Sequence, residues 1–186
     1  MNTTAHATTL MPHSAHVDTF AADHLPPSDQ WPDLIFTTPA LQALQSRTTL
    51  NCVAELLDGA IGRGWGERPC LHGVDSRSAE SGGAAGTANG HASKAFTWTY
   101  AQLLDKVDRI AHALVGDLGL VTGQRVLLRA PNSPMLAACW LAVVKAGGIA
   151  VATMPLLRKK ELRVIIDKAR ISHALCEASL GEALQA

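Results

Sequence analysis

Arg158, Lys159 and Lys160 form the densest cationic run in this 186-residue chain. They follow an apolar stretch, Ile149 to Thr153, that reads as a strand. Open α/β sheets hold ligands beyond the carboxyl ends of their strands. Cations placed there can neutralise phosphate oxygens, or they can simply be solvated charges at a helix start. Asn132 and Ser133 likewise follow a strand, where they could face a ligand or cap the helix that opens at Pro134. Two glycine-rich runs invite comparison with phosphate loops. Gly62-Arg63-Gly64-Trp65-Gly66 ends a helix instead of joining a strand to one, so it reads as a turn. Gly82-Gly83-Ala84-Ala85-Gly86-Thr87 has no lysine or helix after it.

Neither histidines nor cysteines build a centre. His6, His13, His16 and His24 have spacings that fit no common metal site, and the segment carrying them reads as a flexible arm. His112 and His173 flank apolar residues, with no carboxylate or thiol placed to make either a base. Cys52, Cys70, Cys139 and Cys176 occur singly, without metal-like spacing. They read as reduced thiols packed as small hydrophobes in a cytoplasmic protein. No catalytic residue and no metal ligand is assigned.

The elements that would position these residues are legible from periodicity. Residues 1–50 read as an arm with a docking strap, Trp31 to Leu50, carrying Leu34, Ile35, Phe36, Leu41 and Leu44. Asn51 caps a helix with Val53, Leu56, Leu57, Ala60 and Ile61 on one stripe. Pro69 to Gly73 and Phe96 to Trp98 read as a β-hairpin, with residues 75–94 a disordered, Ser/Gly/Ala-rich insertion at its tip. Thr99 and Gln102 have capping-box spacing before a five-turn helix whose stripe runs Tyr100, Leu103, Leu104, Val107, Ile110, Ala111, Leu114, Val115 and Leu118. A strand at Arg125–Ala130, a helix from Pro134, the strand at Ile149, a helix on Leu162, Ile165, Ile166 and Ala169, and a strand at His173–Cys176 complete the alternation. Such an order implies an α/β fold: a partial parallel sheet with right-handed crossovers and flanking helices, plus the hairpin. Ile149 to Thr153, without alternation, is expected to be buried on both faces.

Charge and hydropathy narrow the function classes. Sixteen basic and sixteen acidic residues cancel, so no electrostatic grip on nucleic acid or anionic lipid is expected. The apolar run from Met135 to Met154 is interrupted by Lys145 and Gly147-Gly148, which fits helix, turn and strand better than a membrane span. No basic and apolar leader opens the sequence, so no secretory signal is expected.

Residues 51–186 resemble the beginning of the large N-terminal domain of the adenylate-forming family, which includes acyl-CoA synthetases, luciferases and peptide-synthetase adenylation domains. The matching signatures are Thr99-Tyr100-Ala101-Gln102-Leu103, Gly123-Gln124-Arg125-Val126, Ala130-Pro131-Asn132-Ser133-Pro134, Lys145-Ala146-Gly147-Gly148, and Pro155 with Glu161-Leu162. Leu50-Asn51-Cys52, Arg129-Ala130-Pro131, Cys139-Trp140-Leu141-Ala142 and Ala152-Thr153-Met154-Pro155-Leu156-Leu157-Arg158 are similar to 2-aminobenzoate–CoA and benzoate–CoA ligases. The resemblance implies activation of a small aromatic carboxylic acid by ATP and Mg²⁺, then transfer to CoA. It also implies that the Ser/Thr/Gly-rich phosphate loop and the catalytic lysine lie in parts of such a ligase that this sequence does not contain. The chain is therefore expected to be an incomplete domain, inactive alone and binding none of these cofactors tightly, with the rest of the ligase as its partner. By the same resemblance Arg158 and Lys159 fall at the periphery of the CoA phosphates. The alternative is a non-catalytic α/β module that binds a partner chain through the sheet edge left after Cys176. A Rossmann-type nucleotide binder is disfavoured, because Ala130-Pro131-Asn132 stands where glycine would be needed.

Overall fold

The computed structural model describes residues 15–32, 35, 37–45, 47, 49–75 and 94–185. Strands β1 (Pro69–Asp75) and β2 (Lys94–Thr99) form an antiparallel hairpin. Strands β3 (Arg125–Arg129), β4 (Ile149–Thr153) and β5 (Ile171–Cys176) form a parallel sheet in the order β4-β3-β5. The helices are α1 (Phe20–Asp23), α2 (Pro39–Gln45), α3 (Gly59–Gly62), α4 (Tyr100–His112), α5 (Pro134–Lys145) and α6 (Lys159–Ala169), followed by a 3₁₀ segment, Ala178–Leu184. This is the expected α/β class with its hairpin. The glycine-rich run of 82–87, and nearly all of the 75–94 insertion, lie outside the described residues.

Local chemistry explains where the helices start and stop. The Thr99 hydroxyl accepts from Gln102 N and the Gln102 carboxamide accepts from Thr99 N, closing the capping box that opens α4. Ser133 accepts from Leu136 N with Pro134 at the first helical position, so α5 begins where its cap directs. Asn51 does two jobs: its Oδ1 accepts from Val53 N and Ala54 N, and its Nδ2 donates to Lys145 O at the end of α5. Gly147 then turns the chain with φ +79°, and a Cβ there would lie 2.6 Å from Thr122 Cγ2. The Leu50-Asn51-Cys52 and Lys145-Ala146-Gly147-Gly148 signatures thus meet as a cap and a turn.

Two predicted stripes are rotated at one point each. A π-helical turn, Ala54–Asp58, precedes α3, and a second, Ala113–Asp117, follows α4. In each the backbone bonds five residues back, as from Gly59 N to Ala54 O and from Leu118 N to Ala113 O. The wider turn breaks the 3.6-residue phase. Leu56, Val115 and Leu118, placed on the buried stripe by periodicity, are instead 59%, 50% and 54% exposed.

The core lies mainly on one face of the parallel sheet. Val53, Leu57, Leu103, Val107, Ala138 and Ala142 join the first helical segment, α4 and α5 into one cluster, against which Cys70, Leu71 and Trp98 of the hairpin pack. Leu114, Leu120, Val126, Leu128 and Val143 extend it to β3. Strand β4 departs from expectation. None of its residues is fully buried and Ala152 is exposed, because β4 is an edge strand and only central β3 is buried throughout. The arm also docks differently from the predicted strap. Val17 N and Asp18 N donate to Thr122 O at 3.1 and 2.9 Å, whereas Ile35 and Leu41 are exposed and Leu34 and Phe36 lie outside the described residues.

Candidate functional site

The second face of β3 carries two buried cations. Arg125 and Arg129 are only 6% and 3% exposed, on the same side of a strand four residues apart. Four residues of strand advance about 13 Å, close to the roughly 16 Å length of an eleven-residue helix, and α6 has eleven residues. The two guanidinium groups bracket that helix. Arg125 donates from Nε to Ala169 O and from Nη2 to Arg170 O, both at 2.8 Å, capping the carbonyl end of α6. Arg129 donates to Met154 O, Pro155 O and Leu157 O at 3.0, 2.9 and 2.8 Å, fixing the loop that leads into α6, and at 3.4 Å to Leu180 O.

This second cluster forms the rim beyond the carboxyl ends of the strands. Chain order reverses between β3 and β5, so the rim there is the crevice in which doubly wound sheets take ligands. In this chain the crevice is crossed by backbone. Glu177 N donates to Arg129 O at 2.8 Å, and the 3₁₀ segment brings Leu180 O to the Arg129 guanidinium. Arg158 and Lys159 stand at the start of α6 on the loop that Arg129 holds, and both are exposed. The Glu161 carboxylate accepts from Arg158 N at 3.0 Å, so it occupies the amide end of the helix. Leu156 projects from the same loop, 87% exposed. Asn132 is exposed beside the capping Ser133.

These groups do not make a site for a triphosphate. Four of the five N–H bonds of Arg129 reach backbone carbonyls. The N-terminus of α5 is closed by Ser133 and Pro134, and that of α6 carries a carboxylate that would repel phosphate. The arginines were missed by pattern reading, which took Arg125–Ala130 as a strand centred on its apolar residues. Parity along the strand was the available signal: Arg125, Leu127 and Arg129 share one face.

The remaining candidates are structural. Lys145 Nζ bonds Asp108 at 2.6 Å and Asp58 at 2.9 Å, joining three helical segments. Burial alone would lower its pKa, but the hydrogen bonds and charges of Asp108 and Asp58 outweigh it and hold the ammonium above its ordinary value. His173 Nε2 pairs with Leu118 O and Nδ1 with the Ser172 hydroxyl. Burial raises the thiol pKa of Cys70, Cys139 and Cys176, the opposite of an activated nucleophile. Cys52, expected to pack inward, is exposed. Among the described residues no group of three His, Cys, Asp or Glu could hold a metal, and no helix is long and apolar enough to cross a membrane.

Residues 78–186, more than half of the chain, match the family model described as AMP-binding enzyme. The chain belongs to this family. Among AMP-binding relatives, the Salicyl-AMP ligase / salicyl-S-ArCP synthetase of Mycobacterium tuberculosis (strain ATCC 25618 / H37Rv) is 44% identical over 64 residues, which cover 34% of this chain and 11% of the relative. The Salicylyl-CoA synthase / salicylate adenylyltransferase of Streptomyces sp is 34% identical over 84 residues, or 45% of this chain and 15% of that protein. The crystal structure of CmiS6 superposes with a TM-score of 0.52 and 26% identity, covering 69% of this chain and 26% of that one. The chain thus matches only a small part of the length of its AMP-binding relatives.

Proposed function

We propose that this chain supplies the front segment of the large N-terminal domain of an acid–CoA ligase. The complete enzyme activates a small aromatic carboxylic acid with ATP, releasing pyrophosphate, and transfers the acyl group to CoA with release of AMP. One observation carries the reading. The AMP-binding family match falls on a parallel sheet whose rim is built from backbone and a buried arginine, leaving the grip on phosphate to residues elsewhere in the ligase. The salicylate named in two relatives, and the wording similar to 2-aminobenzoate–CoA ligases, support an aromatic substrate. Residues 1–50 are then an arm and 51–186 an incomplete domain with an insertion at 75–94. ATP, Mg²⁺ and CoA belong to the assembled enzyme, whose remaining part, in the same or a separate chain, is the partner.

Two experiments test this. In a chimera, residues 51–186 replace the matching segment of the Streptomyces salicylyl-CoA synthase, and ATP–pyrophosphate exchange with salicylate is expected to persist. A folded chimera without exchange would refute the assignment. In the same chimera Arg158→Ala with Lys159→Ala is expected to raise KM for CoA several-fold while leaving exchange unchanged. An unaltered KM would remove these residues from the CoA periphery.

A second reading is favoured by one observation. Among the described strands β5 pairs only with β3, so its outer edge is available to a partner chain in a non-catalytic module. A stable complex on size exclusion with a protein that has no ligase activity would support it.

A further inference from the structure

At the end of the sheet opposite the rim, Asp18 and Phe20 lie on a surface made by Thr122, Gly123, Arg125 and Arg170. Asp18 Oδ1 sits 2.8 Å from Arg125 Nη1 and accepts from Phe20 N at 3.0 Å. The Phe20 ring packs against two cations, with the Arg125 and Arg170 guanidinium carbons 4.8 and 4.7 Å from its centroid, and the His24 ring of the same segment stands 4.2 Å from it. The backbone N–H groups of Val17 and Asp18 both donate to Thr122 O.

The receiving side has supports of its own. Arg125 is fixed by the carbonyls of Ala169, Arg170 and Gly123. Its charge is nevertheless buried, and Asp18 is the carboxylate that meets it. Gly123 has φ +91°, and a Cβ there would fall 2.2 Å from Asp18 O, so the surface is cut back where the segment's backbone passes. Arg170 holds a left-handed conformation, φ 48°, while its guanidinium covers the ring. Neither α1 nor the following 3₁₀ turn, Ser28–Gln30, contains a buried residue.

We propose that this surface is a peptide-recognition site for an Asp-x-aromatic segment, which residues 18–20 fill in cis as a releasable latch. Carboxylate recognition by Arg125 and ring recognition by the Arg125–Arg170 pair supply the specificity; the two backbone bonds to Thr122 fix direction. Residues 24–50 link the latch to the body. A linker of that length gives an effective concentration on the order of millimolar, so the cis segment excludes a weakly binding peptide from the intact protein. The proposal is independent of the ligase reading.

The test uses the full chain. Asp18→Lys combined with Phe20→Ala empties the surface, and a fluorescent peptide spanning residues 15–24 is added while anisotropy is followed. The peptide is expected to bind this variant at least tenfold more tightly than the unaltered chain, and to lose binding when its own Asp or Phe is replaced. No binding to a folded variant, or equal binding to both proteins, would overturn the proposal. Arg170→Gly supplies a readout that does not depend on that variant folding. Glycine tolerates the left-handed backbone, so thermal stability is expected to hold while amide exchange at Val17 and Asp18 speeds up at least fivefold. Unchanged exchange would also overturn it. Concentration-dependent dimers of the unaltered chain, with the segment exchanged between copies, would overturn the cis assignment.

Discussion

At the scale of single residues, the two arginines of β3 decide what the sheet can do. A guanidinium satisfies several carbonyls in one plane, whereas an ammonium is a compact point charge. Arg129→Lys is therefore expected to destabilise the fold by about 2–4 kcal/mol despite keeping the charge, since the Met154, Pro155 and Leu157 carbonyls lose donors in a partly buried setting around a buried guanidinium. Urea denaturation checks this, and a change below ~0.5 kcal/mol would show the bracket to be incidental. Asp18 offers a pH test. The hydrogen bond from Arg125, then that from Phe20 N, with the Arg125 and Arg170 charges, outweigh burial and hold its carboxyl below the ordinary aspartate value. Its contribution is fully present above an unfolded pKa of ~3.9 and is lost as pH falls through the lowered folded value. Asp18→Asn is expected to flatten that acid limb in thermal melts; an identical limb in both proteins would contradict the pairing. Strand parity placed Arg125 and Arg129 on one face, but what they hold was not legible in the sequence, because their partners are mostly backbone carbonyls. Side-chain patterns carry no record of where a carbonyl will point.

At the scale of elements, caps and turns were legible and helix phase was not. Thr99, Ser133, Asn51 and Gly147 act through bonds to residues a few positions away, so their types announce their roles. A π turn inserts its extra residue without a sequence signature of comparable strength, and it moves Leu56, Val115 and Leu118 off the buried stripe while Leu57, Ala60 and Leu114 stay on it. Two substitutions separate the rotated stripe from the regular one. Leu103→Ala, in the core cluster, is expected to cost about 2–5 kcal/mol. Leu118→Glu, on the predicted but exposed continuation, is expected to change stability by no more than ~0.5 kcal/mol. Comparable losses in guanidinium melts would restore the uninterrupted 3.6-residue period. Strand β4 teaches a related lesson, since an apolar run without alternation records the company a strand is suited to, and Ile149–Thr153 has α5 packed against it and, among the described residues, no strand on its outer edge.

At the scale of the whole molecule, the family signatures turn out to be architecture. Asn51 meets Lys145 O, Gly147 packs on Thr122, and Arg129 ties the Pro155 loop. Residues like these are readable at family level while saying little about chemistry, which explains why the α/β fold was legible and no catalytic group was. Met154 and Leu156, 62% and 87% exposed, leave apolar side chains open at the rim. The central claim is that the phosphate-gripping chemistry is supplied from outside this chain. ATP–pyrophosphate exchange by the purified chain alone, with benzoate, 2-aminobenzoate or salicylate, tests it most directly. The account predicts no exchange above a protein-free control; robust, acid-dependent exchange would contradict it.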